Sequence, residues 1–322
     1  MTATTATLPA IGAATTRAAT LGTDSLERLV VLAVAYADVF EHALTAAEIH
    51  RYLAGRRVSM ALVERALADT LIPSHQIVRA GRYFALPGRE SVAAIRERRE
   101  SASALLWRRA ERYGAIFGCL PFVRMVAVTG SLAMNNAEAD SDVDFLIVTR
   151  PGRLWLGRLA VMVIARLGSR WGNRLCVNYL LSERALEIRE HTYYAARELS
   201  QMVPLSGSSV YRRMRAANTW LHRTLPNAAK PGPCHHGHAL SDPPWMLLGL
   251  RWLAETCLAG PLGAWLERNE MRIKREMLRG TPDPCNEARF SCDEFKGHFA
   301  GHGHRAMHAW EQRFRGLERM TS

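Results

Sequence analysis

The sequence predicts an α+β protein, a mixed α/β core flanked in the chain by helical segments. Three observations carry this. Two short apolar runs of strand length, Arg124-Met-Val-Ala-Val-Thr and Val143-Asp-Phe-Leu-Ile-Val-Thr, follow each other in mid-chain. Apolar residues at helical spacing lie on either side of them, as in Leu29, Val30, Leu32, Val34 and Tyr36. A composition of 48% apolar and 22% charged residues over 322 positions can bury a substantial core without staples.

Residues 1–24 are almost wholly Ala, Thr, Gly and Leu, and read as a disordered leader. Residues 25–90 read as a winged-helix-like module. Its first helix carries Leu29 to Phe40, and a second begins at Thr45 with Glu48 at the capping-box position. Ser59 starts a third, and Gln76-Ile-Val-Arg and Arg82-Tyr-Phe-Ala-Leu flank a turn at Ala80-Gly81. DNA is a conceivable partner, but Glu64 and Asp69 on the third helix oppose a phosphate backbone, which favours a packing or docking module. The hairpin itself is basic, with Arg79, Arg82 and Arg89. Residues 91–120 form a long amphipathic connector, residues 121–205 the core, and residues 206–322 a helical region with a linker near 224–244.

The formal charge of +12 suits a phosphate-rich partner. With only Lys230, Lys274 and Lys296 as lysines, arginine-rich codon usage is an equal explanation. Six cysteines without a CxxC pair read as reduced thiols, an expectation of a cytoplasmic location. The most apolar run, Leu154 to Leu167, contains Arg158 and Arg166 and is too short to span a bilayer, so no membrane partner is expected.

The chemistry concentrates where the first strand ends in Gly130-Ser131 and, after ten residues, Asp142-Val-Asp144 opens the second. Strand alternation puts Asp142 and Asp144 on one face, about 7 Å apart. Like charges so placed repel unless a cation lies between them, and magnesium takes a few carboxylate oxygens while leaving positions for substrate phosphates. Gly130 lets the chain approach a phosphate closely, and Ser131 opens a helix whose free N–H groups favour an anion.

Strand, Gly-Ser, gap and Asp-x-Asp strand together resemble the signature of the polymerase β-type nucleotidyltransferase superfamily. By motif the resemblance covers Phe122 to Ser182. It implies a nucleotidyltransferase fold in which helices pack on a mixed sheet, and transfer of a nucleoside monophosphate from an NTP such as ATP. It further implies two Mg2+ ions, with Asp142 and Asp144 as catalytic metal ligands and Gly130 and Ser131 as the nucleotide-binding turn. The superfamily normally supplies a third carboxylate from a later strand. In Arg174-Leu-Cys-Val-Asn-Tyr-Leu-Leu the corresponding catalytic position is Asn178, which cannot accept a proton in the useful range. Three accounts stay open: another acid such as Glu138, Asp140 or Glu183 fills in; the substrate brings its own charge; or the domain binds nucleotide without transferring it. Bacterial and archaeal nucleotidyltransferase-like proteins with an N-terminal winged helix look similar over a wider span, through a segment like Tyr193-Tyr-Ala-Ala-Arg-Glu-Leu-Ser-Gln-Met-Val-Pro-Leu.

Beyond the core, Ser209 to Arg223 reads as a basic helix, Trp245 to Met277 as helix broken near Gly260-Pro261, and Asp293 to Phe314 as another helix. Lys296 is a candidate triphosphate contact on that last helix. Cys234-His-His-Gly-His and Gly301-His-Gly-His304 lack the paired spacing of a zinc site. The expectation is an enzyme that acts on an NTP and an acceptor that is a small molecule, a protein or an RNA end. The rival is an inactive nucleotide-binding scaffold of the same fold.

Overall fold

The structure, a computed structural model, describes residues 24–228, 245–281, 283, 287–297 and 301–321. The leader expected at 1–24, apart from Asp24, and most of the linker near 224–244 lie outside these residues.

The chain opens with three helices, α1 (Leu26–Asp38), α2 (Ala46–Tyr52) and α3 (Met60–Arg65), the last running on through a π turn at Ala66–Leu71. Ser25 caps α1, and Thr45 with Glu48 forms the expected capping box of α2. An antiparallel hairpin follows, β1 (Val78–Ala80) and β2 (Tyr83–Ala85), and Phe84 bridges back to Leu44. Helix α4 (Ser91–Cys119) then leads into the sheet.

That sheet has six strands: β3 (Val123–Val128), β4 (Val143–Thr149), β5 (Leu175–Ser182), β6 (Val203–Ser206), β7 (Arg289–Phe290) and β8 (Glu294–Lys296). Their spatial order is β6-β3-β4-β5-β8-β7, with β4 and β5 parallel and every other neighbouring pair antiparallel. The parallel pair needs a crossover. Helix α6 (Leu154–Ser169) supplies it, after the short α5 (Gly130–Ala133) has joined β3 to the loop before β4.

Period-two alternation divides two cores between the faces of the sheet. Val143, Phe145 and Ile147 of β4 pack with Trp107 and Phe117 of α4 and Trp155 of α6. Leu146 and Val148 point the other way, into a cluster with Leu29, Val30 and Tyr36 of α1 and Ile49 and Tyr52 of α2. Asp144, between Val143 and Phe145, belongs to this second face, so the N-terminal helices and the acidic strand share one side of the sheet.

The second face is completed by α7 (Tyr193–Gln201), α8 (Ser208–Ala217), α9 (Leu221–Thr224) and α12 (His302–Thr321). On the other side lie α10 (Trp245–Cys257) and α11 (Pro261–Leu278), divided at Gly260-Pro261 as expected. Glu267 of α11 accepts the backbone N–H groups of Trp155 and Leu156 at 2.9 Å each, which caps α6. The outer surfaces of α10 and α11 leave Leu250, Trp252 and Trp265 more than half exposed. Among the described residues no helix is long and apolar enough to cross a membrane.

Two expectations for the C-terminal third need correction. The region is not purely helical: Glu294–Lys296, expected to begin a helix at Asp293, is strand β8 paired with β5, and the helix starts at His302. Phe295 packs edge-on to Trp155, with ring centroids 5.5 Å apart, and that burial favours a strand here. The expected helix at Ser209–Arg223 is broken at Asn218, which is fully buried. Its side chain accepts from Ile188 N–H and donates to the carbonyls of Leu186 and Met214, each at 2.8 Å, so it ties a loop to the end of α8.

Candidate functional site

Strand β3 delivers the chain to Gly130, where the backbone turns with φ +67°. Thr129 N–H donates to Asp144 O at 3.0 Å, which holds the turn against β4. A Cβ built on Gly130 would lie 2.5 Å from Asp144 Oδ2, so both the sign of φ and the closeness of the carboxylate require glycine. The loop that follows is anchored to α4 and to the N-terminal helices. Trp107 Nε1 donates to Asn135 Oδ1 at 2.7 Å, Asn136 Nδ2 to Phe40 O at 2.9 Å, and Ser103 Oγ accepts from Ala137 N–H at 3.2 Å.

The two aspartates sit in different surroundings. Asp142, just before β4, is half exposed and accepts from Arg174 Nε at 2.9 Å. Asp144 is partly buried, and that burial, together with the charge of Asp142, pushes its carboxyl above the ordinary range. The Cys176 thiol, opposite it on β5, donates to it and pulls the other way, as does the nearby His302 at the start of α12.

Glu198 of α7 is a further acid whose carboxyl the Gly130 N–H pulls down, and Gln201 Nε2 donates to its Oε1 at 2.8 Å. Burial pushes Glu198 up to about 7, and the charge of Asp144 adds to the rise. The helix that carries it is tightly held. Thr192 caps it, the Tyr193 hydroxyl donates to Tyr52 O at 2.8 Å, and the Tyr193 ring stacks on Trp310 at 4.9 Å. The Arg197 guanidinium, fully buried, lies 3.6 Å from the ring centroid of Tyr52. Motif reading missed Glu198 because no fixed spacing joins it to Asp144.

The other acids considered as replacements for a strand-borne carboxylate are engaged elsewhere. Glu138 pairs with Arg99 at 2.7 Å, Glu183 with Arg213 at 2.7 Å, and Asp140, 82% exposed, with Arg174 at 3.8 Å. Asn178 lies in β5, within the irregularity between the Asp144–Cys176 and Leu146–Tyr179 pairings; its side chain lies outside what is described. Ser131 is partly exposed in α5, beside Gly130. Lys296 is not gathered to the turn: it lies on β8 opposite Tyr179, with Nζ 2.9 Å from the Glu190 carboxylate. Of the two histidine clusters, Cys234 to His238 falls outside the described residues, while His302 lies near Asp144. Among the described residues no group of three or more His, Cys, Asp and Glu side chains is placed to hold a metal ion, and Asp142 is turned toward Arg174. Two of the three hairpin arginines are also ion-paired, Arg82 with Glu100 at 2.6 Å and Arg89 with Asp38 at 2.8 Å, while Arg79 donates to Gly81 O at 3.0 Å.

The interval that carries this geometry is also the one with a family match: residues 116–201 fit the family model described as nucleotidyltransferase domain. The chain contains a nucleotidyltransferase domain of the polymerase β-type superfamily. The match begins near the end of α4 and ends at the last residue of α7, so the nucleotidyltransferase domain includes Gly130, Ser131, Asp142, Asp144, Asn178 and Glu198 and leaves Lys296 outside. No curated protein and no solved structure matches the chain.

Proposed function

We propose that this chain transfers a nucleoside monophosphate from an NTP to an acceptor that is a small molecule, a protein side chain or an RNA end. The observation that supports it best is the Asp144 carboxylate packed against Gly130, beside Asp142 and inside the nucleotidyltransferase domain. In the transfer, a bond forms between an acceptor oxygen and the α-phosphorus while the bond to the β-phosphate bridging oxygen breaks and pyrophosphate leaves. The Ser131 end of the turn would hold the β- and γ-phosphates through backbone N–H groups.

The donors fit Mg2+: they are hard oxygens, and a cation beside Asp144 would relieve the repulsion that raises its carboxyl. Asp142, released from Arg174, and Asp144 would hold it. When bound, the ion screens the phosphate charge and stabilises the charge that develops on the leaving pyrophosphate. The protein's own share is to fix the turn, hold the carboxylates on one strand face and exclude bulk water from the Asp144 side. DNA recognition by the N-terminal module draws little support from its hairpin, where Arg82 and Arg89 are paired within the chain and Arg79 alone of the three carries no acidic partner among the described ion pairs.

The test is transfer of label from an α-phosphate-labelled NTP with cell extract as the acceptor source, alongside pyrophosphate release. Asp142→Ala and Asp144→Ala should each lower magnesium-dependent turnover by on the order of 10²-fold or more. Unchanged turnover in Asp144→Ala would remove the assignment. Tight NTP binding by the wild type without any pyrophosphate would favour the scaffold reading.

A further inference from the structure

We infer that the outward stripes of helices α10 and α11 dock on an anionic lipid bilayer and lie in its headgroup layer without crossing it. Both helices fall outside the residues matched as a nucleotidyltransferase domain, so this surface stands apart from the nucleotidyl-transfer reading.

A helix packed on a protein in water ordinarily turns its apolar stripe inward and its charges outward. Here much of that order is reversed. The side of α11 that meets the protein rests on the core through Met271 and Leu278, and it also holds two acids. Glu267 is buried and accepts from Trp155 and Leu156 N–H, and Glu270 lies 3.6 Å from Arg158. The outward side carries Leu262, Trp265, Ile273 and Met277, each more than half exposed. Their helical spacing sets them along one stripe. Helix α10 repeats the arrangement. Arg251 donates to the carbonyls of Gly118 and Val123, and Glu255 accepts from Phe122 N–H and Arg124, so its charged groups face the protein. Leu250, Trp252 and Leu253 are left outside, again more than half exposed. Single apolar residues scattered over a surface are ordinary, but an outward stripe on consecutive helices, each with a tryptophan, marks an interaction surface.

Charge decides the occupant. Arg268, Arg272 and Arg275 are exposed and recur at helical spacing along the flank of the α11 stripe. Among the described residues the ion pairs of this helix are Glu270 with Arg158 and Glu276 with Arg279, which leaves those three arginines without one. A second copy of the chain, with a formal charge of +12, would bring the same arginines to meet them. Residues 1–23 hold Arg17 and no acid, and residues 229–244 hold Asp242 against Lys230, so neither segment complements the row. Tryptophan and leucine beside arginine match a surface that is apolar within and negative at its edge, which is a bilayer with acidic headgroups. Lying in the headgroup layer needs no spanning run, so the shortness of Leu154 to Leu167 does not oppose it.

The experiment is co-sedimentation of the full chain with vesicles of phosphatidylcholine alone and of phosphatidylcholine mixed with phosphatidylglycerol, with tryptophan emission recorded. The mixed vesicles should bind at least roughly tenfold more tightly and shift the emission to the blue. Replacing the arginines together (Arg268→Gln, Arg272→Gln and Arg275→Gln) should weaken binding roughly 10²-fold, and Trp265→Ser with Ile273→Ser roughly tenfold or more. All five positions are exposed, so circular dichroism should show the wild-type fold. A wild type that stays in the supernatant with mixed vesicles overturns the proposal. So does binding that the serine variant leaves unchanged, because that is adsorption of a basic protein through charge alone. A wild-type dimer in sedimentation that the serine variant turns into a monomer would assign the stripe to a second copy and overturn it as well. Should a variant not fold, brominated acyl chains in the mixed vesicles decide on the wild type: its tryptophan emission should be quenched, and unquenched emission overturns the proposal.

Discussion

The two ends of strand β3 are each met by a glutamate from a helix, and the two glutamates titrate in opposite directions. At the start, Glu255 of α10 accepts from Phe122 N–H at 2.8 Å, from Arg124 at 2.7 and 2.8 Å and from Arg251 at 3.0 Å. Burial alone would raise it, but these donors outweigh burial and hold it at about 2. At the far end Glu198 has Gly130 N–H and Gln201 but also faces Asp144, and burial with that neighbour takes it to about 7. A carboxylate with surplus donors fastens a helix to a sheet. One left short of positive charge keeps its proton to a higher pH.

The largest effect should come from the fastening end. Glu255→Ala leaves Arg124, Arg251 and Phe122 N–H without their acceptor and should cost about 3 kcal/mol in urea unfolding, because breaking a partly buried pair strands its partners. A loss within experimental error would erase the contrast. The pH dependence of stability gives the next largest signal. Glu255, with a folded value of about 2 against 4.5, stabilises the fold above pH 4.5, and that contribution disappears as pH falls toward 2. Glu198, raised from 4.5 to about 7, has the opposite sign: stability declines as pH rises from 4.5 through 7 and stays lower above it. Each limb amounts to about 3 kcal/mol at most, and Glu255→Gln should remove only the acid limb.

Gly130→Ala sharpens the comparison at the site end. The side chain meets Asp144 Oδ2 in a backbone conformation with φ +67°, so about 1–2 kcal/mol of stability should be lost together with nucleotidyl transfer. Glu198→Gln should instead stabilise the fold at pH 8 by about 1 kcal/mol, since a neutral amide no longer opposes Asp144. The smallest effect belongs to the exposed apolar surface on the other side of the sheet. Trp252→Ser, at a ring 68% exposed, should change unfolding free energy by no more than about 0.5 kcal/mol. A larger loss would show that α10 contributes more than Glu255.

Several parts of this molecule are legible from residues alone. The strands around Gly130 and Asp144, the capping box at Thr45, the length of α4 and the break at Gly260-Pro261 follow from local periodicity and turn chemistry, and all lie within a residue or two of expectation. Lys296 was misplaced because three residues cannot declare a strand; Glu294–Lys296 is extended by its pairing with β5 and by the burial of Phe295. The interruption at Asn218 was equally hidden, since a buried asparagine explains itself only through partners more than two turns away in the chain.

The sequence by itself determined the glycine-serine turn, the paired aspartates and the mixed sheet that displays them, because each depends on neighbours a few residues apart. Tertiary structure alone decided which acids converge on that turn. It drew Asp142 and Asp140 to Arg174, took Glu138 and Glu183 to Arg99 and Arg213, and seated the helix that carries Glu198 on Tyr52. The reason is physical: strand alternation sets the face on which a side chain emerges, whereas the charge it meets there is set by packing between distant elements.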